Sequence, residues 1–257
     1  MKYIESFSNP LVKRIKALSK SRNRKREGVF LLEGRPELDH AIQLGVDFET
    51  ILFSDHYTSL DEINSLTQGK SMPMVQLSKA VFDDLVVQQV PGNFLALCKS
   101  WHTELQQLDR QTDLIVVLES LEKPGNLGAI LRTCDAVGIQ NVIVANSQID
   151  RFNPNVLRNS RGAAFSVNVS FDTNENVRDY LAQHGFTTYA AALDETSVDY
   201  KLIDKGQKRA IVFGAESKGL SNFWLQHADN KVIIPMNGKV DSLNLSVSVG
   251  VILYDQI

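Results

Sequence analysis

Short apolar runs alternate with amphipathic segments along the 257-residue chain, and together they form two blocks. In the first block, the apolar runs predict strands at residues 28–32, 50–53, 74–76 and 94–98. Segments with helical spacing lie at residues 11–18, 36–44, 59–66 and 78–85. Strands that alternate with helices are typical of a compact α/β unit.

The second block begins at residues 114–118, a continuous apolar run typical of a parallel strand buried on both faces. Further strands are predicted at residues 141–145, 187–191, 210–213 and 231–234, and helices at 127–137, 154–161, 174–183 and 221–227. The polar stretch between the blocks has no strong pattern and predicts a linker. The predicted organisation is therefore a domain at 1–100, a linker at 101–112 and a second domain at 113–257.

The composition predicts a protein with hydrophobic cores and gives no sign of a membrane span, a signal peptide or a metal site. The chain is 43% hydrophobic, enough for real cores, and has no run near the roughly 20 apolar residues of a membrane span. It begins without the apolar run of a signal peptide, and its two cysteines, Cys98 and Cys134, lie in apolar or helical patterns. Two buried thiols in the cytoplasm are expected. The five scattered histidines show no metal-ligand spacing, so no metal site is expected.

Charge is concentrated at the amino terminus. Residues 1–35 carry ten Lys or Arg against three Glu, a net charge of +7 in a chain whose total is −3. Asn9 and Pro10 are typical of a helix start, so the basic residues are predicted to lie on a helix. Residues 11–26 carry eight of these basic residues and no acid. This run of a single charge sign favours an RNA phosphate backbone as the partner, with a solvated helix face as the alternative. The candidate RNA-binding residues are Lys13, Arg14, Arg22, Arg24, Lys25 and Arg26.

The common sequence motifs of nucleotide-binding proteins and hydrolases are absent from the sequence. No Gly-x-Gly-x-x-Gly follows a predicted strand. Gly214 and Gly219 have P-loop spacing, but Leu220-Ser221 stands where Lys-Ser/Thr is required. Neither Gly-x-Ser-x-Gly nor His-Glu-x-x-His occurs, so hydrolase chemistry has no support.

Three glycine-containing segments, 123–132, 213–221 and 234–246, each follow an apolar run and are predicted to be loops leaving buried strands. Such loops bind ligands at the carboxyl edge of parallel sheets. The residues that carry a family pattern in them are Asn126, Gly128, Arg132 and Thr133 in the first, Gly214, Glu216, Gly219 and Leu220 in the second, and Ser242, Leu243 and Asn244 in the third. In this order and spacing they resemble the SpoU (TrmH-like) RNA ribose 2′-O-methyltransferases of the SPOUT superfamily.

The resemblance implies an α/β fold in which a carboxy-terminal parallel-sheet methyltransferase domain forms a trefoil knot. It also implies a smaller amino-terminal α/β RNA-binding domain and a homodimer formed through the knotted domain. The implied activity is S-adenosylmethionine-dependent methylation of a ribose 2′-hydroxyl in tRNA or rRNA.

The resemblance and the hydrophobic pattern disagree at residues 243–251, where period-two alternation alone predicts a strand. The resemblance implies a helix from near Asn244, and we adopt the helix.

The resemblance also assigns roles to individual residues. Its implied catalytic residues are Asn126, Arg132, Glu216, Ser242 and Asn244, and its implied cofactor-binding residues are Leu193, Gly214, Ile234 and Leu243. A guanidinium has no acceptor and stays protonated, so we expect Arg132 to bind a phosphate or stabilise the developing oxyanion rather than act as a base. The structural alternatives are helix caps for Asn126 and Asn244, and plain surface charges for Glu216 and Arg132.

Two other functions are compatible with this fold. One is a non-catalytic RNA-binding or ribosome-assembly factor, against which the intact site residues argue. The other is a knotted methyltransferase that acts on a base nitrogen, a reaction that usually needs a group to take the base proton. The Ser242-Leu243-Asn244 pattern resembles the ribose-modifying branch instead.

Overall fold

The computed structural model describes residues 2–67, 72–87, 93–109 and 111–257. Its strands are β1 Lys2–Ile4, β2 Val29–Glu33, β3 Phe48–Phe53, β4 Met74–Leu77, β5 Leu95–Lys99, β6 Leu114–Glu119, β7 Asn141–Ala145, β8 Asn168–Asp172, β9 Thr187–Ala191, β10 Val198–Asp199, β11 Arg209–Phe213 and β12 Asn230–Ile233. Its α-helices are α1 Pro10–Ala17, α2 Ser21–Glu27, α3 Arg35–Gln43, α4 Leu60–Leu66, α5 Lys79–Asp83, α6 Pro124–Ala136, α7 Pro154–Ser160, α8 Ala163–Ser166, α9 Asn174–Gln183, α10 Asn222–His227 and α11 Leu245–Asp255.

The chain forms two compact units. The first extends to Trp101 and includes Phe152–Phe165, and the second comprises His102–Arg151 and Ser166–Ile257. The segment Phe152–Phe165, which the sequence analysis assigns to the second domain, is thus part of the first unit. One physical reason is aromatic packing, because the ring of Phe152 stacks on the buried ring of Phe30 with centroids 4.3 Å apart.

The first unit is built on a five-stranded sheet in the order β1-β4-β3-β5-β2. Strands β1, β4 and β3 are parallel, whereas β5 runs antiparallel to both β3 and β2. The predicted basic helix is α1. The side chain of Asn9 accepts a hydrogen bond from the Leu11 amide, and Val12 and Ile15 are buried in the core of the unit. This confirms the predicted start and narrow apolar side of α1.

The second unit is built on a seven-stranded parallel sheet in the order β10-β12-β9-β11-β6-β7-β8. Every residue of β6, β7 and β11 is buried, which explains their continuous apolar sequences. The segment predicted as a linker contributes Leu105 and Leu108 to the core of this unit, while Arg110 lies outside the described residues. The α/β class with a parallel-sheet carboxy-terminal domain is confirmed.

The carboxy-terminal segment is the helix α11, so the strand predicted by alternation alone is wrong. Asn244 caps the helix by accepting a hydrogen bond from the Ser246 amide at 3.0 Å. Leu245, Val249, Ile252 and Leu253 are its buried residues, at the i, i+4, i+7 and i+8 spacing of one helix face. Tertiary burial of that face outweighs the period-two alternation of the sequence.

Cys98 and Cys134 are free and buried, and burial raises the pKa of the Cys134 thiol to about 12. Within the ranges that the structure describes, no helix has the length and apolar character needed to span a membrane. No cluster of three metal-ligating side chains occurs in those same ranges.

Candidate active site

A cavity of about 440 Å³ opens at the carboxyl ends of β9, β11 and β12 in the second unit. The chain leaving these strands, together with α11, forms its walls. All four predicted cofactor-binding residues line it, namely Leu193, Gly214, Ile234 and Leu243. Ser242 and Glu216 of the predicted catalytic set line it as well. The structure therefore gathers residues from well-separated parts of the chain at one sheet edge, as expected for parallel α/β folds.

Gly214 is required by the close approach of two backbone segments. A Cβ atom built on Gly214 would lie 2.2 Å from the carbonyl carbon of Gly219. The loop between them is closed by two hydrogen bonds, from the Ala215 amide to Gly219 O at 3.1 Å and from the Gly219 amide to Ala215 O at 2.8 Å. No side chain can be accommodated at Gly214, and its backbone stays open to the cavity.

Glu216 is the common acceptor of the site. Its carboxylate forms an ion pair with Lys123 and accepts hydrogen bonds from the side chains of Asn126 and Asn244 and from the Leu245 amide. Lys123, followed by the Asn126 contact, holds the pKa of Glu216 below its ordinary value. The three motifs predicted from the sequence thus meet at one side chain that is 18% exposed.

Asn244 and Asn126 differ in their relation to helix ends. Asn244 is both the cap of α11 and a donor to Glu216, so its structural and site roles coincide. Asn126 lies in the first turn of α6, whose N-cap is Lys123, and it is therefore not the cap that the alternative required. Its side chain is directed to Glu216 instead.

Arg132 does not join this cluster. It lies on α6 with an exposed side chain and does not line the cavity. Among the described residues, none forms a hydrogen bond or an ion pair with its guanidinium. The helix that carries Arg132 packs against α11, where a Cβ on Gly250 would contact the Thr133 methyl at 3.9 Å. A cation without a partner remains able to bind an external anion.

A buried hydrogen-bond network at the end of β6 was not predicted from the sequence. The Glu119 carboxylate, 2% exposed at the end of β6, accepts hydrogen bonds from the Ser221 amide at 2.7 Å and the Ser221 hydroxyl at 2.5 Å. The Glu119 carboxylate also accepts a hydrogen bond from the side-chain amide of Asn174. The side-chain carbonyl oxygen of Asn174 in turn accepts a hydrogen bond from the Trp224 indole at 3.0 Å. Glu119 thereby fixes the end of the Gly214–Ser221 loop. The signal was an acid directly after the apolar run 114–118.

The six predicted RNA-binding residues have two different environments in the first unit. Lys13, Arg22, Lys25 and Arg26 are exposed. By contrast, Arg24 is 3% exposed and donates to the carbonyl oxygens of Leu18 and Ser19, at 2.6 and 3.0 Å.

Arg14 is engaged by two carboxylates. It forms a two-pronged ion pair with Glu49 and donates to Glu27 at 2.7 Å, and these contacts, Glu49 first, raise its pKa. Arg14 and Arg24 therefore both have partners within the first unit, while their assignment as RNA contacts stays a prediction. These environments depend on the burial of Arg24 and on the pairing of Arg14 with Glu49, a residue distant in sequence.

Two known protein families match successive parts of the chain. Residues 113–254 match the SpoU rRNA Methylase family, and residues 9–96 match the MRM3-like substrate binding domain. The 23S rRNA (guanosine(2553)-2′-O)-methyltransferase of Bacillus subtilis is 26% identical over 99% of this chain and 98% of its own length. The tRNA (guanosine(18)-2′-O)-methyltransferase of Thermus thermophilus is 42% identical, over 57% of this chain and 75% of its own length.

Solved structures of similar fold also include RNA methyltransferases. The AdoMet-bound rRNA methyltransferase of Sinorhizobium meliloti superimposes with a TM-score of 0.89 at 26% identity, covering 99% of this chain and 97% of its own. Fold and site thus define an RNA methyltransferase. The protein belongs to the SpoU rRNA Methylase family, because the family match spans more than half of the chain. The predicted family, enzyme class and S-adenosylmethionine cofactor are confirmed.

Proposed function

We propose that this protein methylates a ribose 2′-hydroxyl of ribosomal RNA, with its cofactor bound in the cavity at the ends of β9, β11 and β12. The observation that carries the proposal is the meeting of Lys123, Asn126 and Asn244 at the carboxylate of Glu216, beside that cavity. A fold-retaining binding factor would have no need for this arrangement.

The cavity fits the cofactor. Gly214 leaves its backbone groups open, Leu193, Ile234 and Leu243 supply apolar contacts, and Ser242 supplies a hydroxyl. When bound there, S-adenosylmethionine would supply an activated methyl group carried on a positively charged sulfur. Because the donor is already activated, the protein's main task is alignment, for which about 7–11 kcal/mol is available in principle.

The remaining steps, orientation of the site and binding of the substrate, are assigned to residues of the chain itself. Glu216 orients Asn126 and Asn244, so that their amides present fixed dipoles beside the cavity. Arg132, free of internal partners in the described part of the chain, binds the phosphate next to the reacting ribose or stabilises the developing oxyanion. It does not act as a base, since a guanidinium has no acceptor. Base-nitrogen methylation gains no support, because the carboxylate of Glu216 is already fully engaged.

Ribosomal RNA is favoured over tRNA by the amino-terminal half. Relatives that align with almost the whole chain include the Bacillus subtilis enzyme, which acts on 23S rRNA. The Thermus thermophilus tRNA enzyme aligns over only 57% of this chain. Residues 9–96 match a substrate-binding domain, and an alignment over 57% of the chain is too short to span both this domain and residues 113–254.

A homodimer through the second unit, a trefoil knot around α11 and a cytoplasmic location remain part of this proposal. Apolar side chains exposed on or near α11 support the dimer: Val247 at 49%, Tyr254 at 61% and Ile257 at 69% exposure. Light scattering of the purified protein measures its oligomeric state directly. Two reduced thiols and an RNA substrate support the location.

The deciding experiment is methylation of total rRNA and total tRNA with radiolabelled S-adenosylmethionine, followed by mapping of the modified nucleotide by mass spectrometry. Label on a ribose of rRNA is expected. Label confined to tRNA, or located on a base, would refute the proposed substrate or the proposed chemistry, respectively.

A further inference from the structure

A second cavity, of about 520 Å³, lies in the first unit. It is enclosed by the end of α1, the junction of β2 with α3, the chain after α5, and α7. Its volume falls within the roughly 300–1,000 Å³ of small-ligand pockets. None of the active-site residues lines it, so it requires a separate explanation.

The walls combine apolar surface with excess positive charge. Ile15, Leu18, Leu31, Leu85 and Leu157 provide the apolar part. Five basic and three acidic side chains also line the cavity. An apolar slot beside guanidinium groups suits an unstacked nucleotide, whose base would lie against apolar side chains and whose phosphate would accept charge-assisted hydrogen bonds.

Two arginines at this cavity are available to an anion. Lys16 forms an ion pair with Asp84, and Arg161 has its Nη1 4.0 Å from Glu37 Oε1. Arg35 and Arg158 are exposed, and no carboxylate of the described residues lies within 4.0 Å of either guanidinium. Two unpaired guanidinium groups at one cavity favour a phosphate-bearing ligand.

The end of α7 is held in place by backbone features. Arg161 adopts a left-handed conformation with φ of 53°, which is unfavourable for a residue with a side chain. The next residue is Gly162, where a Cβ would lie 2.6 Å from the imidazole of His40 on α3. Close packing on α3 therefore fixes the turn that follows Arg158 and directs α7 along the cavity.

The cavity also adjoins the exposed basic helices. Lys16 and Ser19 line it, and Lys13 lies about one turn earlier on the same helix, facing solvent. We propose that the cavity receives one unpaired nucleotide of the RNA substrate, with its base against Ile15, Leu18 and Leu157 and its phosphate at Arg35 and Arg158. The proposal rests on the proposed function only in taking RNA as the substrate.

Binding of a fluorescent single-stranded RNA of about 12 nucleotides to the full chain tests this, with a duplex of the same sequence as comparison. Ser19→Trp fills the cavity from an exposed position, and Arg158→Ala removes one phosphate contact. Arg158→Ala should weaken single-strand binding by roughly 10- to 150-fold, the range for a lost hydrogen bond to a charged group, and Ser19→Trp by at least as much, while duplex binding changes less than twofold in both. Ser65→Trp, exposed on α4 and outside the cavity, is the matched control.

Thermal melting first establishes that all variants are folded. Single-strand affinity equal to wild type in both Ser19→Trp and Arg158→Ala overturns the proposal, as does failure of wild type to bind the single strand. If uridine 5′-monophosphate binds as tightly as the oligonucleotide, the occupant is a free nucleotide and the assignment to RNA is wrong. Failure of the proposed function is distinct, since it appears as absent methyl transfer by wild type.

Discussion

The side-chain amide of Asn244 donates a hydrogen bond to the carboxylate of Glu216, 28 residues earlier in the chain. Because Asn244 also caps α11, this bond ties the start of the last helix to the loop after β11. The Leu245 amide and Asn126 bind the same carboxylate. The geometry of the cavity wall therefore depends on Glu216 more than on any other single side chain of the site.

Glu216→Gln should weaken cofactor binding while leaving the fold intact. The amide keeps the shape of the carboxylate but loses the ion pair with Lys123 and one charged acceptor. About three- to tenfold weaker binding of S-adenosylmethionine is expected, on the order of 1 kcal/mol. Calorimetric titration measures it. Glu195→Gln, an exposed acid on the loop after β9 that does not line the cavity, is the control and should bind like wild type.

The lowered pKa of Glu216 predicts how its contribution to stability changes with pH. A carboxylate whose pKa is lower in the folded state stabilises the fold above its unfolded pKa and loses that contribution as pH falls through the folded value. The difference in melting temperature between wild type and Glu216→Gln should be constant from neutral pH to about 5, then shrink in more acidic solution. A gap that widens on acidification would contradict this sign.

Arg132→Ala should strongly slow methyl transfer without loss of stability or cofactor affinity, because Arg132 makes no contact within the described residues that the fold needs. A kcat reduced by about 100- to 1,000-fold is expected for a removed oxyanion-stabilising donor. Steady-state kinetics with rRNA measures it. Arg178→Ala, on α9 and paired with Asp179, is the control. Wild-type turnover by Arg132→Ala would remove Arg132 from the mechanism.

Gly214→Ala should disrupt the cofactor loop by steric clash. The new methyl would lie 2.2 Å from the Gly219 carbonyl carbon, so the loop must shift. Loss of measurable S-adenosylmethionine binding is expected, with a lower melting temperature. Gly238→Ala is the matched control, since a Cβ there has no heavy atom within 4 Å. Equal behaviour of the two variants in calorimetry would show that the close approach at Gly214 is unimportant.

Much of the second unit follows from the sequence, because strands buried on both faces are continuous apolar runs. β7 and β9 have the predicted bounds, β6 and β11 are each one residue longer at one end, and β12 begins and ends one residue earlier than predicted. β8 was missed because Asn168–Asp172 is not apolar throughout. Helix α2 was missed because Ser21–Glu27 is almost entirely polar, and only Arg24, a buried cation, faces inward.

The site was predictable to a different extent. Leu193, Gly214, Ile234 and Leu243 came from family motifs, and the structure brings all four to one cavity. Periodicity gave no information on Lys123 or Glu119, because their partners lie about a hundred residues away. Long-range ion pairs and buried networks depend on tertiary structure, and a single sequence does not encode them in a local pattern.

The exposed basic residues of α1 and α2 should bind RNA through its phosphates. Replacing Lys13, Arg22 and Lys25 together by Gln removes three such contacts, so the slope of log affinity against log salt should become shallower by about 2 for a single-stranded substrate. Fluorescence anisotropy over a salt series measures this. The double variant Lys79→Gln, Lys99→Gln removes exposed, carboxylate-paired lysines of the same unit and should leave the slope unchanged. An unchanged slope in the triple variant would make the basic segment a solvated helix face.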